Sequence, residues 1–536
     1  MSFIFFTALV AVITWFKVRR EDLAHSDGYF LGGRSLPWFV VAGSMVLTNI
    51  STEQLVGLNG GAYLSGMNVM GWEVLAAVAL VLLALVLLPV YMRGGITTLP
   101  QLIESRYGRS VRVLLALVLV TGLLITILPF VLYTGALSMV GLFNVEAMLG
   151  VDRHTAVLVL AVALGVIGGA YAVFGGLKAV AVSDTINGVG LVFGGLLVTW
   201  LGLLHLGDGS VAAAVHTLRT VHPEKLNAVT GPESSVPFST LFTGMLMINI
   251  SYWCLNQNII QRAFGARSLA DGQKGVLLAG LMKVCGVLIL VVPGVIAYHI
   301  FDGSLAHGDL AYPRLVELVL PTWMRGFFGA VLFGAILSSF NSTLHSLSTL
   351  FSLDVYKTMI RKQASETETV WVGKVFGLLL IVVAIAIVPM LQDTQAGIFD
   401  LMKRVGGFFF AGSLGTILLG LIYKRSTPIA PFVGFVLGAF NFGYFVWVRD
   451  GVLYSAGDVV VKLHWLHIHA LNGAVVFGVM WAIRTWIPTR APAREAEVIK
   501  TTVDLTPWRG VRFAGFGLLA LVVLVYVVFS PLGVAK

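Results

Sequence analysis

Charge is scarce in this chain. Asp, Glu, Lys and Arg make up 11% of 536 residues, while 57% are hydrophobic and the mean hydropathy is +0.91. A soluble domain of this length needs about a quarter of its residues charged to cover its surface. Cysteine is nearly absent. Cys254 and Cys285 both fall in apolar stretches, which excludes a disulfide framework and leaves no evident redox role. The patterns GxSxG, HExxH and GxxxxGK[ST] are missing, so no nucleophile elbow, zinc-protease pair or phosphate loop is present. The last absence argues against a self-contained ATP-driven pump, and the set argues against an enzyme. The net charge of +9 does not suggest nucleic acid, because the basic residues are scattered through short loops.

What the chain has is long apolar runs from end to end, each able to cross about 30 Å of hydrocarbon. Hydropathy predicts an all-α integral membrane protein of about 14 transmembrane helices. The approximate spans are 2–17, 36–60, 71–92, 111–141, 155–174, 181–205, 238–257, 275–301, 324–352, 370–391, 398–423, 428–448, 463–484 and 513–532. Ser2 to Phe16 lacks a basic start and a small-residue cleavage site, so it reads as a retained helix. With the N-terminus outside, the inner loops collect roughly 24 of the 35 basic residues, Arg262, Arg267 and Lys274 among them. This predicts a multi-pass protein of the cell (inner) membrane with both termini outside. Two connections are long. Residues 206–237 lie outside and carry a short amphipathic stretch; residues 485–512 lie inside and read as a proline-bearing flexible linker.

Polar residues at membrane depth are costly and mark function. The first cluster is Thr48-Asn49-Ile50-Ser51-Thr52-Glu53-Gln54, followed by Gly57, Gly60 and Gly61; the second is Asn249-Ile250-Ser251-Tyr252-Trp253 and Asn256-Gln257. Each suits an unwound stretch lining a cavity, where freed carbonyls and amides bind an ion or solute. They occupy corresponding positions if the chain holds two five-helix groups, 36–205 and 238–423, preceded by 1–35, separated by the outer loop 206–237 and followed by 424–536. Single charges form another set: Glu73, Asp184 and Lys283, with Glu73 and Lys283 a plausible pair. Ser338-Ser339-Phe340-Asn341-Ser342-Thr343 supplies hard oxygens suited to a small cation, or hydroxyls that join helices. His464, His467 and His469 have metal-like spacing without an acidic partner, and packing at the interface is the better reading.

Beyond these residues, Gly28-Tyr29-Phe30-Leu31-Gly32-Gly33-Arg34-Ser35-Leu36-Pro37-Trp38, Gly175-Gly176-Leu177-Lys178-Ala179-Val180, Asn256 through Arg262 and Ser348 through Lys357 resemble the sodium/solute symporter family. The chain is most similar to its sodium/galactose and sodium/glucose cotransporters. The resemblance implies a LeuT-type core of two inverted five-helix repeats, with one helix before it and three after. It implies a symporter that imports a sugar or sugar-like solute with Na+ as coupling ion. It also implies roles for residues. Gln54, Glu73, Asn249 and Lys283 bind the solute, and Tyr252 covers it. Leu58, Trp72 and Phe399 form the outer gate. Sodium is held by Ser338 and Ser339 with the carbonyls of Leu47, Ile50 and Ala335. A second sodium would use Asp184, Ser338, Asn341 and Ser342, although Asn341 replaces a serine of the family pattern. Two departures touch the substrate. Lys403 stands where the sugar cotransporters carry glutamine, and Ala76 where the galactose member carries serine. Lys403 either pairs internally, with Glu73 or Asp400, or faces the carboxylate of an acidic sugar. Coupling to protons through Asp184 or Glu73, and a solute sensor on the same fold, remain as alternatives. The solute, the ion stoichiometry and the oligomeric state are not encoded in these motifs.

Overall fold

The computed structural model describes residues 2–19, 23–392, 398–423, 426–456, 459–487 and 503–536. Among the described residues, eleven helices are long and apolar enough to span a membrane, and three shorter apolar helices accompany them. In chain order we label α1 Ser2–Val18, α2 Trp38–Asn49, α3 Thr52–Ser65, α4 Met67–Arg93, α5 Arg109–Phe143, α6 Arg153–Ala170, α7 Gly175–Leu206 and α8 Gly244–Leu255. There follow α9 Gln257–Phe264, α10 Leu269–Phe301, α11 Thr322–Ile360, α12 Glu366–Gln392, α13 Ile398–Ile422, α14 Ile429–Val448, α15 Trp465–Trp486 and α16 Val511–Val528. The amphipathic stretch of the long connection 206–237 is a helix over Val211–Thr220. A two-stranded antiparallel hairpin, Val452–Ala456 with Val459–Lys462, joins α14 to α15.

Two helices are broken inside the bundle. The first gives way at Ile50 and Ser51, both extended, so α2 ends and α3 begins after two residues. The second gives way at Asn256, also extended, whose side-chain oxygen caps α9 by accepting from the Asn258 amide at 3.0 Å. Around these breaks α10 packs against α2 and α4, α7 packs along α11 and α2, and α13 groups with α14 and α15. A different device separates α6 from α7. They form one continuous run interrupted at Gly176 (φ 63, ψ −176), where a Cβ would lie 3.0 Å from the Tyr29 carbonyl. The sequence spans 155–174 and 181–205 are therefore two helices, α6 and α7, divided where the chain turns at Gly176.

A proline bends a further helix, and the bend is repaired from outside. Pro293 sits in α10 just after Val291, whose φ/ψ of −130°/−51° is not helical. Proline has no N–H to give the Ile289 carbonyl. The Asn59 side chain of α3 replaces it: its Nδ2 donates to Ile289 O at 3.2 Å and its Oδ1 accepts from Gly294 N at 2.8 Å. Gly294 permits this approach, since a Cβ there would fall 2.1 Å from Asn59 O. Asn59 is wholly buried. The second half of the first broken helix is thus locked to α10.

Two expectations about connections need correction. Arg262 is not in a loop. It lies in α9, fully buried, and its Nη1 donates to Asn258 O at 2.7 Å. The polar composition of α9 reads as loop, but it serves a polar face of α11: Asn258 donates to Thr343 (3.0 Å), Gln261 donates to Thr349 (3.0 Å) and Ser346 donates to Gln261 (2.8 Å). The connection 485–512 is also not uniformly a free linker. Residues 488–502 lie outside the described residues, but 503–510 are docked: Leu269 N donates to Asp504 O at 2.8 Å and Trp508 N to Gln273 Oε1 at 2.9 Å.

The Asn59 patch yields a test. Asn59→Leu keeps the volume, strands the buried Ile289 carbonyl and leaves the Gly294 amide only its bond to Val291 O, which costs about 1–3 kcal/mol. The thermal midpoint of the purified protein should fall, and Pro293→Ala in the same background should recover part of the loss by restoring the missing amide. An unchanged midpoint in Asn59→Leu would show that water or a backbone shift satisfies the break.

Candidate functional site

The two breaks face each other across a chain of buried polar contacts. Lys283 on α10 forms an ion pair with Glu73 on α4, and both side chains are wholly buried. Lys283 Nζ also donates to Asn49 Oδ1 at 2.5 Å, and Asn49 Nδ2 donates to Tyr252 Oη at 3.2 Å. On the other side of the pair, Gln54 Nε2 donates to Glu73 Oε1 at 2.6 Å. The chain Tyr252–Asn49–Lys283–Glu73–Gln54 therefore joins α8, both ends of the first break, α4 and α10. Neither charge is at an interface, so the pairing read from sequence holds in space. Asn249 stands apart: it donates to Met245 O of its own helix at 3.1 Å.

A cavity opens beside this chain. The breaks contribute Thr48, Asn49, Glu53, Gln54, Tyr252 and Asn256, and α13 contributes Lys403. Its remaining walls are mostly apolar, from Val118 to Ile127 of α5 and Met402, Phe409 and Phe410 of α13, with Thr126, Ser251 and Ser413 as polar exceptions. It runs from the breaks toward the end of the bundle where α5 begins and α13 ends. Toward the opposite end it is covered. Lys403 Nζ lies 5.6 Å from the Trp72 ring centre and 5.3 Å from that of Tyr252. Trp72 in turn stacks on Trp465 at 6.3 Å, and Arg404 lies 5.9 Å from the Trp465 ring. Leu58 is buried, and the Phe399 side chain lies outside the described residues, as does that of Asp400. Glu73 and Lys283 do not line the cavity; Gln54 and Asn49 present the pair to it.

Sequence reasoning gave no role to Glu53, although it lies in the first polar cluster. Its carboxylate is buried, its Oε2 has no hydrogen-bond partner among the described residues, and it is within electrostatic reach of Lys403. Nothing in the sequence of α5 marked its face as a wall, because that face is apolar.

Below the first break lies a group of hard oxygens. Ser51 N bonds to Asn49 O, so Leu47 O loses its helical donor. Ser339 Oγ donates to Thr48 O at 3.0 Å and Leu47 O at 3.4 Å. Ala335, Ser338 and Ser339 share one face of α11 by their i, i+3, i+4 spacing. Ser338 Oγ is buried with no hydrogen-bond partner among the described residues. Such an oxygen is expensive to bury unless it meets a cation or another group that can use its lone pairs. Of the four residues of the second sodium expectation, Ser338 lies near Asp184, and the other three also make contacts elsewhere. Asp184 Oδ2 accepts from Ser44 Oγ at 2.7 Å, Ser342 Oγ pairs with Thr48 Oγ1 at 3.0 Å, and Asn341 Oδ1 points to the close approach of α6 at Gly168.

The histidines pack. His464, just outside its span, is pushed down to about 4, mainly by burial, with His467 and Arg404 adding to the effect. It is therefore neutral, and its Nδ1 accepts from Leu466 N at 3.3 Å as a helix cap. His467 sits between Ser239 (3.1 Å) and Thr243 (2.9 Å), and His469 is buried against Phe442.

The model of the sodium:solute symporter family matches residues 29–438. The chain is 42% identical to the uncharacterised symporter YidK of Escherichia coli, over 99% of this chain and 91% of that protein. It is 30% identical to the sodium/glucose cotransporter of Vibrio parahaemolyticus, over 81% of this chain and 82% of that one. It is also 30% identical to the human sodium/myo-inositol cotransporter, over 80% of this chain and 65% of that one. Among solved structures, the outward-open, substrate-bound state of a Na+-coupled sialic acid symporter aligns with TM-score 0.73 at 17% identity, covering 90% of this chain and 97% of that one. The nucleobase-cation symporter Mhp1 in a closed conformation aligns with TM-score 0.52 at 14% identity, over 86% and 96% of the two chains. At these identities the solved structures speak for the fold.

Removing one partner of the buried pair leaves a bare charge, which costs about 3–5 kcal/mol. Glu73→Gln and Lys283→Met should each lower the thermal midpoint strongly, and the double variant should lose less than the two losses added. Additive losses would show that the two charges do not interact energetically.

Proposed function

Because the chain belongs to the sodium:solute symporter family, a family of membrane transporters with sodium as the coupling ion, we propose that it imports a neutral, polyhydroxylated, sugar-like solute together with Na+ by alternating access. The observation that carries this reading is the cavity between two broken helices, into which Asn49, Gln54 and Tyr252 present hydrogen-bonding groups backed by the Glu73–Lys283 pair. Hydroxyls of a sugar can both donate and accept, so they match amides and charged groups that do the same. The likeness to sodium/glucose and sodium/myo-inositol cotransporters supports the same solute class.

In this reading the solute contacts Gln54, Asn49, Tyr252 and Lys403 directly. Glu73, Asn249 and Lys283 set their positions or join when the bundle moves. Leu58, Trp72, Tyr252 and Phe399 close the outer side. Sodium sits against Ser338 and Ser339 with carbonyls of Leu47, Ile50 and Ala335; the freed Leu47 carbonyl and the unpartnered Ser338 hydroxyl support this. Asp184, Asn341 and Ser342 remain candidates for a second ion. The core is two inverted five-helix repeats, 36–205 and 238–423, within fourteen crossings of the inner membrane.

The position of Lys403 favours a neutral solute over an acidic one. It packs against two aromatic rings, with the Glu53 carboxylate in electrostatic reach, and Glu73 and Lys283 neutralise each other. A thermal-shift screen of the purified protein against hexoses, polyols, uronic acids and amino acids, with and without sodium, tests the whole reading. A neutral polyhydroxylated compound should stabilise the protein only when sodium is present. Lys403→Gln should then change its affinity by less than tenfold, about 1.4 kcal/mol. Stabilisation by uronic acids alone, lost in Lys403→Gln, would replace the neutral solute by an acidic one.

Sodium has its own test. Ser339→Ala removes one hard ligand and should shift the sodium dependence of uptake to severalfold higher concentration, with uptake at saturating sodium less affected. An unaltered sodium titration would reject the site.

A further inference from the structure

Outside the central cavity, a groove runs between α10 and α16, with about 930 Å³ of space counted to its open side. One end is polar and aromatic. Lys274, Trp38 and Trp508 form its mouth, and Lys274 Nζ lies 5.7 Å from the Trp508 ring centre. The shaft below is apolar, lined by Leu277 and Leu281 of α10 and by Leu518 and Leu521 of α16. Gly517 keeps the shaft open: a Cβ there would meet nothing within 4 Å. Lys274 to Leu281 covers seven residues, about 10 Å along the helix.

The mouth is built. Trp508 is fixed by its amide on Gln273 Oε1, and Gln273 Nε2 in turn donates to Ala84 O at 3.0 Å. The preceding residues run beside the start of α10 through the Ser268–Asp504 bridge. The nearby carboxylates are engaged. Asp271 accepts from Arg267 Nε at 2.7 Å and from Trp38 N at 3.2 Å, and Asp504 Oδ1 accepts from Thr506 N at 2.9 Å. Lys274 forms no ion pair among the described residues. Arg509 and Arg512, both exposed, come just after Trp508 at the same end of α16 and also form none among them.

We infer that this groove binds an anionic phospholipid, its acidic headgroup at Lys274 beside Trp38 and Trp508 and one acyl chain lying along Gly517 between α10 and α16. Charge complementarity selects the headgroup. A lysine at the end of a span, with tryptophans at its level, lies in the interfacial belt where lipid phosphates are. The apolar shaft opens sideways from the bundle and runs along both helices, which fits a chain that enters from the bilayer. The lipid would bridge the beginning of α2, the beginning of α10 and the last helix. It would thereby brace the helix that carries Lys283 against an element outside the repeats.

The test uses the full-length protein in detergent. Thermal midpoints are compared after adding phosphatidylglycerol or phosphatidylcholine of identical acyl chains. Phosphatidylglycerol should raise the midpoint by several degrees more than phosphatidylcholine. Lys274→Gln should remove that excess, and Gly517→Leu, which fills the shaft with the headgroup site intact, should remove the effect of both lipids. Arg314→Gln, an exposed residue paired with Glu317 away from the groove, should keep the excess. Native mass spectrometry provides a second measure, with a retained phosphatidylglycerol expected in the wild type and not in Gly517→Leu. Equal stabilisation by the two lipids, or an excess that survives Lys274→Gln, overturns the proposal. So does an equal effect of soluble glycerol phosphate, which would reduce the site to an anion site without a chain.

Discussion

The arrangement depends on one buried ion pair. Glu73 and Lys283 lie on two helices that pack together, and neither reaches water. Each charge alone would be costly at this depth, so the pair holds α4 and α10 in register or leaves a bare charge. A bare pair still has unused hydrogen-bonding capacity. Asn49 and Gln54 take it up, and they are the residues on either side of the first break. The break is therefore fixed at both ends by the same two charges. Tyr252 extends the hold to α8 through Asn49.

This explains why an interrupted helix is stable at membrane depth. Freed backbone groups are tolerated only where protein or a water-filled cavity satisfies them. At Ile50–Ser51 the freed carbonyls of Leu47 and Thr48 meet Ser339, and at Pro293 the stranded carbonyl of Ile289 meets Asn59. In each case a polar side chain from a neighbouring helix replaces an amide. Asn59 and Gln54 both belong to α3, so that half-helix is tied to α10 directly and through the ion pair. The α10–α3 unit thus moves as one piece if it moves at all.

Much of this was legible in the sequence because polar residues are so rare in it. Two polar clusters located two broken helices, and two isolated charges located each other. The exact places of the breaks were less legible. The second lies at Asn256, at the far end of its cluster, because Asn249 to Leu255 satisfy their backbone as helix and Asn256 supplies the side-chain cap for α9. Arg262 misled for the opposite reason. A basic residue near an apolar end resembles a loop anchor, yet a polar face of α11 makes a buried position for it. The apolar wall of α5 and the role of Asn59 had no signal at all. One looks like any lipid-facing stripe, and the other is a single amide that bridges the gap left by a proline 234 residues later in the chain.

Coupling between ion and solute asks for one element that both bias. With the ion and solute sites as proposed, residues 47 to 49 would meet that requirement within a single turn. Leu47 and Thr48 offer their carbonyls to Ser339, and the Thr48 hydroxyl pairs with Ser342. Thr48 and Asn49 also line the cavity, and Asn49 holds Lys283 and Tyr252. A sodium ion drawn to the Leu47 carbonyl and Ser338 would fix the carbonyl direction at the end of α2. That same peptide geometry decides where the Asn49 amide points. An occupied ion site would then pre-order the Tyr252–Asn49–Lys283 chain, and a solute bound to that chain would favour the carbonyl geometry the ion needs. The reciprocity of linkage requires both effects to be equal in free energy. No long pathway would be needed, because the two proposed sites would share consecutive residues on one side of one break.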